Sequence, residues 1–226
     1  MNVALVNQFF PPAQAPTGIL LGDLAAELVR RGHAVSVIAS ASGYGAGLGA
    51  PVPEGVQLIR VGPDARHRDG PASKFADYLA FLRGARRELA RRVRPDALLC
   101  MTTPPFVGLL GAHGRKRNGV PFVLWCMDLY PEALAAHGWL RPWNPLAPML
   151  KALAREERSR ASAVVVLGPD MAERLAASGA RRVETIPVWS RLEASPAREA
   201  EARALRRARG WGADDVVLLY SGNMGR

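Results

Sequence analysis

Short apolar runs alternate with stretches of helical spacing along nearly the whole chain. Residues 2–7 form a continuous apolar run between polar ends, which suits a strand buried on both faces. Ile19, Leu20, Leu24 and Leu28 follow at helical spacing and predict a helix over 17–31, with Gly32 where a C-terminal capping glycine belongs. Further strands are predicted over 34–39, 56–61, 97–101, 121–127, 163–167, 182–186 and 215–220. Between them, Ser73 is expected to cap a long helix reaching about Val93, and Thr102-Thr103-Pro104-Pro105 to start one ending near Asn118-Gly119. Helices are also expected over 131–136, 145–160, 169–178 and 196–209. Residues 40–55 and 62–71 read as loops, the first from its Gly, Ala, Ser and Pro content and the second from its polarity.

This alternation predicts an α/β fold, a Rossmann-like, mostly parallel sheet with helices on both faces. In such sheets ligands sit outside the carboxyl ends of the strands. That rule directs attention to residues 8–18, 102–105, 128–132 and 168–170.

Composition narrows the class. The 226 residues are 49% hydrophobic and 22% charged, a soluble globular balance, and no run is apolar enough to predict a transmembrane helix. The amino terminus has neither the basic segment nor the cleavage site of a secretory signal. Cys100 and Cys126 fall in or at the end of predicted core strands, so they read as buried free thiols in a reducing compartment. A cytoplasmic location follows. The formal charge is +10, and only three of the 30 basic residues are lysine (Lys74, Lys116, Lys151). That excess is read as codon bias together with a face toward anionic lipid, which extends the location to the inner surface of the plasma membrane. No nucleic-acid motif accompanies it, and no Cys or His spacing suggests a metal.

Two segments carry chemistry. In the first predicted turn, Thr17 and Gly18 open a helix whose free N–H groups could meet an anion or a sugar hydroxyl, and Gly18 allows close approach. The dinucleotide fingerprint GxGxxG is absent. In the second, Asp128 and Glu132 lie just past a central strand, where a carboxylate could take a proton from a hydroxyl or orient it. The alternative for both is a helix start: Asp as N-cap, with Pro and Glu placed for the first turn. Of the four histidines (33, 67, 113 and 137), only His137 falls near this edge. At the chain's end, an apolar strand runs into Tyr220-Ser221-Gly222-Asn223-Met224-Gly225-Arg226, which reads as the start of a phosphate-cradling β-α unit.

Several of these segments resemble family 4 glycosyltransferases, in particular the bacterial branch that builds polysaccharides and lipid-linked sugars. They are FFPPAQAPTG (9–18), ELVRRGHAVSVIA (27–39), DLYPE (128–132), VVVLGPDMAERLAASGA (164–180), VETIPVW (183–189) and LLYSGNMGR (218–226). The resemblance implies two facing Rossmann-like domains, the GT-B fold. The first binds a saccharide or polyprenyl-linked acceptor, and the second binds a nucleotide-sugar donor, which is a co-substrate rather than a cofactor. Transfer retains the anomeric configuration and needs no metal.

Carried over by position, Thr17, Gly18, Tyr130 and His137 are expected to contact substrate, and Asp128 and Glu132 to serve catalysis. Gly222, Asn223, Gly225 and Arg226 would touch the donor. The expected divisions are 1–190 for the acceptor domain, 191–212 for a linker helix and 213–226 for the beginning of a truncated donor domain. The isolated chain is therefore expected to be inactive. Two positions depart from the family pattern: Met127 stands where many relatives have a histidine, and Val188 where the late-strand motif has an asparagine.

Two stretches pair aromatic and basic residues as interfacial helices do, 73–94 and 139–154. The first is expected to pack on the sheet instead. The competing reading of the chain is a non-catalytic acceptor-binding or membrane-anchoring subunit that needs a separate donor-domain partner. Nothing in the sequence sets an oligomeric state.

Overall fold

A computed structural model describes residues 1–41, 49–63, 70–141, 143–176, 178–190, 198–212 and 214–220. The predicted loops at 40–55 and 62–71 fall partly outside these residues, and the donor-loop residues Gly222, Asn223, Gly225 and Arg226 fall wholly outside them.

Seven strands form one sheet: β1 (Asn2–Val6), β2 (Ala34–Ser40), β3 (Val56–Val61), β4 (Ala97–Met101), β5 (Phe122–Trp125), β6 (Ala163–Val166) and β7 (Val183–Thr185). Their order is β3-β2-β1-β4-β5-β6-β7, and every pairing is parallel. The α-helices among the described residues are α1 (Pro16–Arg30), α2 (Pro71–Glu88), α3 (Gly108–Asn118), α4 (Glu132–Ala136), α5 (Leu146–Arg160), α6 (Pro169–Ala176) and α7 (Glu199–Arg209). The expected α/β architecture is observed.

The two faces of the sheet are covered unequally. Leu5, Val35, Val37, Met101 and Trp125 point to one face, where α1 packs with Leu21 and Ala25. Ala4, Val6, Cys100 and Leu124 point to the other, where α2, α3 and α6 supply Phe81, Ala112 and Leu175. Helix α1 lies close because its contact stripe is small: a Cβ on Gly18 would stand 3.1 Å from the backbone of Phe9 and Phe10, and one on Gly22 3.1 Å from Pro11. Gly32 (φ 80°) ends α1 as predicted.

Three boundaries differ from expectation. Helix α2 starts two residues before Ser73, which lies inside the first turn and caps nothing. Pro71, with its preset φ, begins the helix after Gly70 (φ 116°). The helix then widens into a π-helical turn at Leu89–Val93, closed by Arg94 in the left-handed region. Helix α3 starts at Gly108 rather than Thr102, because Thr103 and Pro104 each precede a proline and are pushed away from helical backbone. Residues 215–220 form no strand; among the described residues of their own unit no strand lies beside them, and Leu218 and Leu219 are exposed.

The chain divides into Met1–Val188 and Trp189–Arg226. The first unit contains the sheet and its cores. In the second, α7 buries no residue and carries the ion pairs Glu199–Arg203 and Arg198–Glu201 on its surface.

Candidate functional site

The carboxyl ends of β1, β4 and β5 meet at one edge, and main-chain and hydroxyl hydrogen bonds join their loops. The Gln8 N–H donates to the Thr103 carbonyl (2.7 Å), and the Ser40 N–H donates to the Gln8 carbonyl (2.9 Å). Buried Thr102 accepts at Oγ1 from the N–H groups of Met127 (3.0 Å) and Asp128 (3.2 Å). Three of the four segments picked out by strand polarity are thus stitched together. The fourth, at Gly168–Pro169, follows the neighbouring strand β6.

The first loop is fixed from within and from the sheet edge. Fully buried Asn7 donates through Nδ2 to the Phe9 carbonyl (2.7 Å) and, at 3.4 Å, to Oγ1 of Thr17. Arg60 on β3 reaches under the loop and donates to the carbonyls of Ser40, Phe10 and Pro11. Its partial burial holds its pKa below the ordinary arginine value. The close approach that Gly18 permits is that of the chain's own Phe9–Phe10 backbone.

The two predicted carboxylates sit in different settings. Asp128 is exposed, its backbone is pinned by Thr102, and no hydrogen bond or ion pair engages its carboxylate among the described residues. Both oxygens of Glu132 accept from Arg158 (2.8 and 2.9 Å), whose side chain is only 4% exposed. Arg158 also donates to the Tyr130 carbonyl (2.7 Å). Although partial burial works against it, this bidentate pairing holds the Glu132 carboxyl below the usual carboxylate range. Glu132 therefore acts as an anchor for Arg158, with its lone pairs in use.

Tyr130 leans on Phe106 (ring centroids 6.5 Å apart), and its phenol is raised by burial and by nearby Asp128. His137 ends α4, with Nδ1 2.8 Å from the Ala133 carbonyl and its ring 5.7 Å from that of Trp139. Beyond it the surface turns apolar. Trp139 and Trp143 are each 76% exposed, Leu146 and Met149 are also exposed, and Arg141 lies over the Trp143 ring at 5.5 Å. A pocket of about 300 Å³ beside the Glu132–Arg158 pair is lined by Lys151, Arg155 and Arg174.

One carboxyl lies behind this edge. Glu157 on α5 is 3% exposed, and a Cβ on Gly108 would meet its Oε2 at 2.8 Å. Burial pushes it up to about 8; Arg158 and the Gly108 N–H pull it down, and Glu132 adds to the rise. Among the described residues no group of His, Cys, Asp and Glu could hold a metal ion, and no helix is long and apolar enough to cross a membrane. Cys100 and Cys126 are buried free thiols, both raised by burial, Cys126 to about 12.

Sequence reasoning missed Thr102, Arg60 and Arg158 as fixtures of the site. For Arg158 a signal existed: it continues the stripe of Ala147, Ala154 and Ala161 that α5 buries, where an arginine needs a partner.

Solved structures share the fold at low identity. A sucrose-phosphate synthase from Thermosynechococcus elongatus matches with a TM-score of 0.65 at 15% identity, over 94% of this chain and 53% of that one. The catalytic domain of starch synthase IV from Arabidopsis thaliana, bound to ADP and acarbose, matches with a TM-score of 0.58 at 14% identity, over 96% and 60%. The Anabaena protein Alr3699/HepE in complex with UDP matches with a TM-score of 0.54 at 14% identity, over 93% and 50%. The chain thus spans little more than half the length of these proteins. No curated protein matches it in sequence. The model of the glycosyl transferase 4-like domain matches residues 18–189. With its all-parallel seven-stranded sheet and this match over most of its length, the chain belongs to the glycosyl transferase 4-like family.

Proposed function

We propose that this chain is the acceptor-side half of a GT-B glycosyltransferase that moves a sugar from a nucleotide-sugar donor to a saccharide or lipid-linked acceptor, with retention of configuration, in envelope polysaccharide synthesis. The observation that carries the reading is Asp128, an exposed carboxylate on a backbone pinned by Thr102 at the carboxyl edge of a parallel sheet. In the transfer, the bond between the anomeric carbon and the donor phosphate breaks and the nucleoside diphosphate leaves. The acceptor oxygen bonds the anomeric carbon and gives up its proton to the departing diphosphate. Asp128 accepts the hydrogen bond of that hydroxyl and fixes its direction. Glu132 and Arg158 hold the segment, and Tyr130 and His137 border it. The second domain supplies the donor site.

Two features favour a membrane-borne acceptor over a free sugar. The exposed Trp139, Trp143, Leu146 and Met149, with Arg141 among them, have the composition of an interfacial patch on an anionic bilayer. The nearby pocket of Lys151, Arg155 and Arg174 suits the phosphates of a polyprenyl-linked saccharide. Similar proteins solved with UDP or ADP support the nucleotide-sugar donor.

Calorimetry tests the division of labour. UDP, ADP and UDP-glucose are titrated into this chain and into a version continued through a second domain. Binding by the continued version alone is the expected result. Micromolar binding by the 226-residue chain would put the donor site in this half and overturn the reading. In the continued enzyme, Asp128→Asn is expected to lower kcat by about 10²–10⁴-fold with the donor KM unchanged.

A further inference from the structure

The amino ends of the strands carry a feature that the sugar-transfer reading does not use. The last turns of α2, the π-helical turn and the last turns of α3 enclose a groove of about 630 Å³. Its apolar floor includes Leu89, Leu98, Leu110 and Val120. Its rim is Arg83, Arg86, Arg87, Arg91, His113 and Arg117, all exposed. No Asp or Glu lines it. Helical periodicity produces this convergence. Positions 83, 86, 87 and 91 share one face of α2 and its extension, and 110, 113, 114 and 117 share one face of α3. The gap is open beside Gly114, where a Cβ would meet nothing within 4 Å.

Basic residues in last helical turns complement the helix dipole, and that accounts for some of these arginines. It does not account for Arg83, more than a turn earlier, or for two helices aiming their cations across a shared apolar floor. The charges also interact. His113 is held below its ordinary value, first by desolvation and then by Arg86, Arg117 and Lys116. The ion pair on this part of α2 joins Glu88 to Arg92, which is not among the lining residues. A cluster of guanidinium groups without anions over an apolar floor is complementary to a phosphate attached to an apolar body.

Helices α2 and α3 both run from the carboxyl edge of the sheet to its amino edge. At about 1.5 Å per residue, the 12 residue steps from Pro71 to Arg83 set the near end of the groove on α2 about 18 Å along the helix from that edge. We propose that this groove is a second binding site, for a mono- or diphosphate ester carrying an apolar group, remote from the sugar-transfer edge and independent of it. The phosphate could be that of a soluble ester or that of a lipid headgroup.

The test compares the unmodified chain with Arg86→Gln/Arg117→Gln and with a control of equal charge loss on α7, Arg203→Gln/Arg207→Gln. One arm measures inorganic pyrophosphate and phenyl phosphate by calorimetry at low salt. The other measures sedimentation with phosphatidic acid–phosphatidylcholine vesicles. The expected result is binding in at least one arm, weakened tenfold or more by the groove pair and less than twofold by the control, with unchanged melting temperatures. Pyrophosphate or phenyl phosphate binding identifies a soluble ester, and binding confined to vesicles identifies a lipid phosphate. Binding in neither arm, or equal weakening by both variants, overturns the proposal.

Discussion

The two ends of the sheet show opposite uses of charge. At the carboxyl end, polar groups are fixed by partners. Arg158 is buried against Glu132 and the Tyr130 carbonyl, Thr102 holds two amides, and Arg60 holds three carbonyls. At the amino end, five arginines and a histidine line a groove without an acidic residue. Groups of the first kind are part of the fold, and removing one leaves its partner unsatisfied. Groups of the second kind are solvated, and removing one changes only the field. Mutations at the two ends should therefore separate stability from binding.

The largest separation is expected between Arg158 and Arg86. Arg158→Ala removes a buried guanidinium and leaves Glu132 and the Tyr130 carbonyl without it. The loss is expected to be about 3 kcal/mol, at the low end for a broken buried pair because Glu132 keeps access to water. Arg86→Gln, at an exposed position, is expected to stay within about 0.5 kcal/mol of the parent. Urea unfolding measures both, and a loss below about 1 kcal/mol for Arg158→Ala would remove the contrast between the two ends.

Much of this architecture was legible in the sequence, for a local reason. Strands buried on both faces read as nearly unbroken apolar runs, so β1, β2 and β4 fall within a residue of their predicted bounds. Errors arose where a residue's neighbours in space decide the outcome. The run at 215–220 has strand composition but no adjacent strand among the described residues, and the prolines after Thr103 delay α3 to Gly108. The carboxyl-edge segments could be located from strand polarity, whereas their fixtures could not. Thr102 and Met127 lie 25 residues apart, and Glu132 and Arg158 lie 26 apart, with no short-range pattern linking them. The sequence favours a helix-start role for Glu132 and leaves Asp128 open between the two readings; the pairing with Arg158 sets Glu132 apart.

A second, smaller effect sharpens the comparison through pH. Glu157 is buried behind the carboxyl edge and raised from 4.5 to about 8. The folded chain keeps this proton across that interval while the unfolded chain has lost it. The stability it supports is full below about pH 4.5 and is lost as pH rises toward 8, by at most about 1.4 kcal/mol per pH unit. Glu157→Gln keeps the shape and cannot ionise. Its stability relative to the parent is expected to increase between pH 5 and pH 8, by about 1–3 kcal/mol in total. A parallel pair of stability-against-pH curves would show that Glu157 does not carry the proton.

The smallest expected effect concerns a single hydroxyl. Thr102→Val keeps the branched shape and leaves the Met127 and Asp128 amides without their acceptor. Asp128 is exposed and its amide can turn to water, so the cost should be only about 1 kcal/mol. The loss should be concentrated at these two residues. Hydrogen exchange at their amides should accelerate by about fivefold, in proportion to that energy, while amides in β4 and β5 keep their protection. Thr102→Ser retains the oxygen and should exchange at nearly the parent rate. If Thr102→Val exchanges like the parent, the Thr102 contacts do not hold the segment, and Asp128 owes its position to the Arg158 anchor alone.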